Sequence, residues 1–239
     1  MSAAAGVALA EATRPQRLRP LRRWLGRRVH RTLRGEIARR HNAYCLETVE
    51  GLPILVVPGV LNPVLMRTGA SFAAEVARRA LAADCRVLDM GTGSGVCALV
   101  AARRATRVVA ADADPAAVFC ARANAELSGV AARVEVIESD LFAALGGRRF
   151  DRVLFNPPFL EGTPGAGELA WRSPDIAARF ARDLPAALAP GGEAWVLLST
   201  FGRPALFLDE FARQHLDVSL LATHEFFNER LLLVRVVPR

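Results

Sequence analysis

Three carboxylates and one asparagine stand where chemistry is possible. Asp89 precedes the glycine turn of "VLDMGTGSG", which holds Gly91, Thr92, Gly93 and Gly95. Asp112 closes "TRVVAAD", Asp140 lies in "ESDLF", and Asn156 opens Asn156-Pro157-Pro158-Phe159. Glycines permit a tight turn and let a ligand lie against bare backbone. A carboxylate just before such a turn sits badly beside a pyrophosphate and well beside an ammonium group. The turn therefore suits a ligand with a positively charged amino acid end. The dinucleotide pattern G-x-G-x-x-G also fails, because Val96 follows Gly95 and the third glycine comes one residue early. Asp112 falls 21 positions after Gly91, near the offset at which a carboxylate grips ribose hydroxyls in nucleotide-binding folds.

Asn156 offers a side-chain carbonyl, and Pro157 contributes only a backbone carbonyl; two proline rings stiffen the turn. Phe159 adds a flat apolar surface. Acceptors aimed at the N–H groups of a planar amino nitrogen help localise its lone pair as a transition state forms. Each feature has a plainer alternative: a close-packed strand-to-helix turn for the glycines, helix caps for Asp112 and Asp140, a proline turn for 156–159. For the cap at Pro115, Asp114 is better placed than Asp112.

The surrounding pattern supplies elements to hold these groups. "AYCLETVEGLPILVVP" reads as a hairpin turning at Glu50-Gly51, "GVLNPVLMRTG" as loop, and "ASFAAEVARRALAAD" as an amphipathic helix. Strands and helices then alternate. "CRVLDM", "TRVVAAD", "RVEVIES" and "FDRVLF" are strands; "SGVCALVAARRA" and "PAAVFCARANAEL" are helices. "SPDIAARFARDLPAAL" is a helix with Ser173 as its cap and Pro174 at its first position, and "APGG" is a stop. "EAWVLLST" is a strand, "RPALFLDEFARQH" a helix, and "LDVSLLATHEF" and "ERLLLVRVVP" are strands. Such alternation predicts an α/β fold with a parallel sheet covered by helices on both faces. "FFNE" leaves no room for a crossover helix, so the last strand must pair antiparallel with its predecessor. Asp89, Asp112 and Asp140 then share the carboxyl ends of three successive strands, the ligand crevice of an open parallel sheet.

On these residues the chain resembles the class I S-adenosylmethionine-dependent methyltransferases. "VLDMGTGSG" is similar to their first motif, whose acidic residue lies near the methionine amino group. The resemblance implies a Rossmann-like, mostly parallel seven-stranded sheet with the last strand antiparallel. It implies S-adenosyl-L-methionine as cofactor and S-adenosyl-L-homocysteine as product. Asp89, Gly91, Thr92, Gly93 and Gly95 would hold the amino acid end, Asp112 and Ala113 the ribose, Asp140 and Leu141 the adenine, with Asn156 completing the set. Asn156, Pro157 and Phe159 resemble the Asn-Pro-Pro-Tyr/Phe signature of amino-methylating enzymes. These include HemK-type glutamine amide methyltransferases and several RNA and DNA base methyltransferases. Tyr is commoner in the glutamine enzymes and Phe occurs in some rRNA guanine enzymes.

Two further stretches bear on the acceptor. "VVPGVLNPVLMRTG" resembles the segment before the first motif in HemK-like enzymes, with Pro63 and Thr68 matching. The usual acidic residue after the Thr is replaced by Gly69 and Ala70. "LEGTPGAGELAWRSPD" looks like the loop of the archaeal and eukaryotic HemK-like branch, where Ala170-Trp171 match. Trp171 and Arg172 read either as a lid or as the anchor of a surface loop. The resemblance runs from about Leu52 to the C-terminus. The preferred acceptor is a protein glutamine amide, followed by an exocyclic amino group of an rRNA or tRNA base, then a small molecule. An inactive binding protein on this fold and an NAD-dependent oxidoreductase are the rivals from other classes; Asn156 with three carboxylates disfavours the first, Val96 the second.

The composition is that of a globular chain, 52% apolar and 23% charged, with a net charge of +7. All 31 basic residues are Arg, and codon bias accounts for Arg over Lys. It does not account for the eleven Arg between Arg14 and Arg40. Leu18, Leu21, Leu25, Val29, Leu33 and Ile37 form one apolar stripe opposite them. We read 1–42 as an Arg-rich, helical extension, 43–66 as a hairpin with a substrate-side loop, and 67–239 as the methyltransferase domain. The extension is either a solvated helix face or an arm for RNA, the ribosome or an acidic partner. Cys45, Cys85, Cys97 and Cys120 have no zinc spacing, and no metal is expected. No apolar run reaches membrane-spanning length, and the expected location is cytoplasmic, with a protein or RNA substrate as partner.

Overall fold

The computed structural model describes residues 42–158, 175–227 and 229–239, together with Thr13. The Arg-rich segment, Phe159, Ala170, Trp171, Arg172, Ser173 and Pro174 lie outside the described residues. The described chain opens with a hairpin of β1 (Cys45–Val49) and β2 (Leu52–Val56). Its turn residues Glu50 and Gly51 both have positive φ, 51° and 74°, as a two-residue turn matching strand twist requires.

A seven-stranded sheet follows. Its strands are β3 (Arg86–Met90), β4 (Arg107–Asp112), β5 (Val134–Glu138), β6 (Phe150–Phe155), β7 (Leu188–Ser199), β8 (Leu216–Glu225) and β9 (Arg230–Pro238). Their spatial order is β5-β4-β3-β6-β7-β9-β8. β3 through β7 run parallel, and β9 slots between β7 and β8, antiparallel to both. The short 226–229 connection compels that reversal, as expected.

Helices α1 (Thr68–Arg78), α2 (Val96–Ala101) and α3 (Pro115–Leu127) cover one face; α4 (Ile176–Ala187) and α5 (Pro204–Arg213) cover the other. Two cores result. Phe72, Val76, Leu99 and Cys120 meet Leu154 and Leu197 on the first face. On the second, Phe155, Phe180, Phe207 and Phe211 form a run of ring contacts. Burial of this many large apolar side chains, each contributing roughly 1.5–3 kcal/mol, explains why the central strands read as continuous apolar runs. α3 starts as its residues dictate, with Asp114 Oδ1 accepting from the Ala116 amide at 2.9 Å and Pro115 in the first turn.

Two expectations need correction. Ala189-Pro190-Gly191-Gly192 is not a stop. β7 pairs Leu188 with Phe150, bulges, and resumes at Glu193 opposite Arg152. A Cβ at position 192 would lie 2.7 Å from the Phe150 carbonyl oxygen, so glycine lets the bulge hug β6. α4 runs Ile176–Ala187 after Asp175 in left-handed backbone (φ 52°); the expected cap Ser173 and first residue Pro174 lie outside the described residues. α2 is shorter than its apolar run, spanning only six residues, all buried.

Candidate functional site

The strand order reverses direction between β3 and β6: the chain moves outward to β4 and β5 on one side and to β7 on the other. A cavity of about 460 Å³ opens at the carboxyl ends of these two strands. That is where an open α/β sheet leaves a crevice for a ligand. Asp89, Gly91, Thr92, Gly93, Asp112, Ala113, Asp140, Leu141 and Asn156 all line it; Gly95 and Pro157 do not.

The glycine turn has two jobs. At Gly93 (φ 56°) an added Cβ would meet nothing within 4 Å, so the backbone is bare toward the cavity. At Gly95 (φ 84°) it would lie 3.2 Å from both Cα and Cβ of Ala121, so that glycine serves the packing of α2's start on α3. The plainer alternative for the turn thus describes Gly95, while Gly91 and Gly93 present backbone to the cavity. Fully buried Asn124 braces the same turn. Its Nδ2 donates to the Ser94 carbonyl at 2.9 Å and the Leu55 carbonyl at 2.7 Å, while its Oδ1 accepts from the Leu55 amide at 2.7 Å. One side chain therefore ties the hairpin to the turn.

Asp89 is buried, and its Oδ2 accepts from Thr92 Oγ1 at 2.6 Å and from the Ala98 amide at 2.9 Å. Burial pushes its carboxyl up to about 7; those two hydrogen bonds oppose the rise and neighbouring Asp112 adds to it. Oδ1 accepts no hydrogen bond among the described residues. Asp112 is also pushed up by burial. Its oxygens accept from the Gly93 amide at 2.9 Å and the Asp114 amide at 3.0 Å, which stitches the glycine turn to the end of β4. Since Asp114 caps α3, Asp112 is not the cap. No helix stands between β5 and β6; Ser139 holds the turn there, its Oγ accepting from the Ala144 amide at 3.0 Å and donating to the Leu141 carbonyl at 2.7 Å. Asp140 is left facing the cavity, more than half exposed, and accepts from Arg179 Nη2 at 2.6 Å.

Asn156 follows β6 directly. Its Nδ2 lies 3.5 Å from Thr68 Oγ1, and its Oδ1 is buried with no partner among the described residues. An unpaired buried carbonyl costs about 1–3 kcal/mol, and Asn156 is one of the residues that line the cavity. The loop before α1 supplies the opposite wall. Asn62 is buried; its Oδ1 accepts from the Val64 and Leu65 amides at 3.0 and 2.9 Å, and its Nδ2 donates to Glu47 Oε1 at 2.7 Å. The missing acidic residue after Thr68 has a steric explanation. A Cβ at position 69 would lie 2.7 Å from Pro63 Cβ, so only glycine admits this loop.

Sequence reasoning did not single out Asn62, Ser139 or Arg179 as lining residues. Asn62-Pro63 carried a usable signal, since Asn before Pro favours a side-chain-capped turn. Arg179 carried none; it is one Arg on an amphipathic helix. Among the described residues no cluster of His, Cys, Asp or Glu fits a metal ion, and no helix is long and apolar enough to cross a membrane.

The geometry has counterparts among known proteins. A family model described as "Methyltransferase small domain" matches residues 55–221. A release factor glutamine methyltransferase from Geobacter sulfurreducens is 38% identical over 135 residues, which cover 53% of this chain and 46% of that protein. A tRNA1(Val) (adenine(37)-N6)-methyltransferase from Porphyromonas gingivalis is 34% identical over 163 residues, covering 63% and 60%. This chain therefore matches about half the length of such relatives. Among solved structures, a T. thermophilus 16S rRNA N2 methyltransferase in complex with AdoMet and guanosine superposes with a TM-score of 0.59 at 23% identity, covering 82% of this chain and 50% of that one. The fold is that of the S-adenosylmethionine-dependent methyltransferases.

Proposed function

The chain belongs to the methyltransferase small domain family, and on that premise we propose that it transfers a methyl group from S-adenosylmethionine to a planar amino nitrogen, in the first place a protein glutamine amide. The observation that carries the acceptor type is Asn156, a cavity-lining residue whose Oδ1 is buried and unpartnered among the described residues.

The residues fit the donor. Its ammonium group finds the Asp89 carboxylate, its ribose hydroxyls find Asp112, and its adenine finds Asp140 and Leu141. Bare backbone at Gly91 and Gly93 lets it lie close. Bound there, S-adenosylmethionine supplies an electrophilic methyl group on a sulfonium. The protein's task is then alignment and lone-pair localisation. Asn156 Oδ1 and the carbonyl of Pro157, which stands between the cavity-lining Asn156 and Pro158, are assigned to accept from the two N–H groups of the incoming amino nitrogen. Phe159 stacks on its plane. Thr68 Oγ1, 3.5 Å from Asn156 Nδ2, tethers that side chain.

In this reading 67–239 is the methyltransferase domain, 43–66 its substrate-side hairpin and loop, and 1–42 an arm that meets a large anionic partner in the cytoplasm. A second reading, an exocyclic amino group of an RNA base, draws on the relative that acts on tRNA, whose match covers more of this chain than the glutamine enzyme's. Both acceptors present a flat amino group. Labelled methyl transfer into a lysate split into protein, RNA and small-molecule fractions tests this. Label on a protein glutamine is the expected outcome. Label in RNA moves the assignment to the second reading, and label on a carbon or oxygen atom refutes both.

A further inference from the structure

We propose that Arg179 is a positioning residue that aims Asp140 and so makes the donor pocket selective for a purine bearing an amino group. The inference rests on the donor reading given above and extends it to a residue on the opposite side of the cleft.

Asp140 lies two residues after β5, and its side chain is 59% exposed. A carboxylate that open has several rotamers and reads a nucleobase edge poorly unless something holds it. Arg179 holds it. Its Nη2 donates to Asp140 Oδ2 at 2.6 Å, and both residues line the donor cavity. The guanidinium is itself well placed to be rigid. Arg179 lies in the first turn of α4, its amide donating to the Asp175 carbonyl at 2.9 Å. The next residue, Phe180, is fully buried and stacks on Phe142 at 5.6 Å, two residues beyond Asp140. The segment after β5 and the start of α4 are thus joined twice, by an apolar contact underneath and an ion pair above it.

The chemistry of the pair dictates what it selects. Arg has donors and no acceptor, and a carboxylate has acceptors and no donor. With Oδ2 engaged by Arg179, Oδ1 remains as an acceptor pointing at the ligand's edge. An amino group there donates to it. An oxo group at the same place meets it acceptor to acceptor. Without Arg179 the carboxylate swings toward solvent and the distinction fades. An ion pair this exposed contributes little to stability, so its removal leaves the fold intact.

The test measures binding of S-adenosylhomocysteine and of S-inosylhomocysteine, its 6-oxo counterpart, by calorimetry. Wild type is compared with Arg179→Met and Arg179→Lys. Wild type should prefer the amino compound, and in Arg179→Met that preference should shrink by about tenfold, the share of one charge-assisted hydrogen bond. Arg179→Lys should recover part of it, and it carries the test should Arg179→Met not fold. A general loosening of the pocket would weaken both compounds equally, so an unchanged ratio in both variants overturns the role of Arg179. Wild type binding neither compound overturns the donor reading and this inference with it.

Discussion

Asn156 and Thr68, 88 positions apart in the chain, meet at 3.5 Å between Nδ2 and Oγ1. The contact ties the Asn156 side chain to the start of α1, and on the proposed reading Oδ1 is the atom offered to an incoming amino group. Asn156→Ala should lower turnover roughly 100- to 1,000-fold, the range for losing one preorganised transition-state contact. Affinity for S-adenosylhomocysteine should stay within about twofold. Steady-state kinetics beside calorimetry decides the matter, and wild-type turnover in the variant rejects the assigned role.

Thr68→Val keeps the shape of the side chain and removes the hydroxyl. The Asn156 side chain then loses that tether. We expect kcat to fall about tenfold, a cost near 1.4 kcal/mol, with donor affinity preserved and Thr68→Ser close to wild type. Equal kcat in the Val and Ser variants would show that the contact does nothing.

Asp89 makes stability and binding depend on pH in opposite directions. Its proton leaves near 3.8 in the unfolded chain and near 7 in the folded one. Between those values the folded chain binds the extra proton. The contribution to stability is therefore full below pH 3.8 and is lost as pH rises through 7. Binding of an ammonium-bearing donor needs the carboxylate, so affinity should rise over the upper part of that window. Asp89→Asn should melt higher than wild type at pH 8 without ligand, by roughly 2–4 °C for each kcal/mol recovered. It should also bind S-adenosylhomocysteine more weakly. Melting curves from pH 5 to 8 with the same slope for both proteins would contradict this.

The glycines of the turn should separate by phenotype. Gly95→Ala forces a Cβ against Ala121 in a left-handed backbone, and should cost about 2–4 kcal/mol in urea unfolding. Gly93→Ala meets open space at φ 56°, so it should cost only about 1–2 kcal/mol while its methyl group intrudes on the donor cavity and weakens binding. Reversed rankings would mean that the two positions have been assigned the wrong way round.

Much of this arrangement was legible in the chain. The hairpin was marked by Glu50-Gly51, α3 by Asp114-Pro115, and the reversal before β9 by a connection too short for a helix. These are local signals, settled within a few residues by backbone sterics and capping. The misread places were not local. Whether Ala189-Pro190-Gly191-Gly192 ends an element depends on the Phe150 carbonyl lying under Gly192, some forty positions earlier.

The sequence by itself determined the order of the elements and hence the shared rim on which Asp89, Asp112, Asp140 and Asn156 stand, because strand ends in a parallel sheet collect on one edge. It could not say what each side chain does there. Only the folded chain gave Asp112 to the glycine turn, set Gly95 against Ala121 and left Gly93 open, and excluded a side chain at 69 by bringing Pro63 across it. Most of these outcomes are contacts between segments distant in sequence. They follow from packing and hydrogen-bond competition in three dimensions, which no residue pattern along one strand or helix encodes.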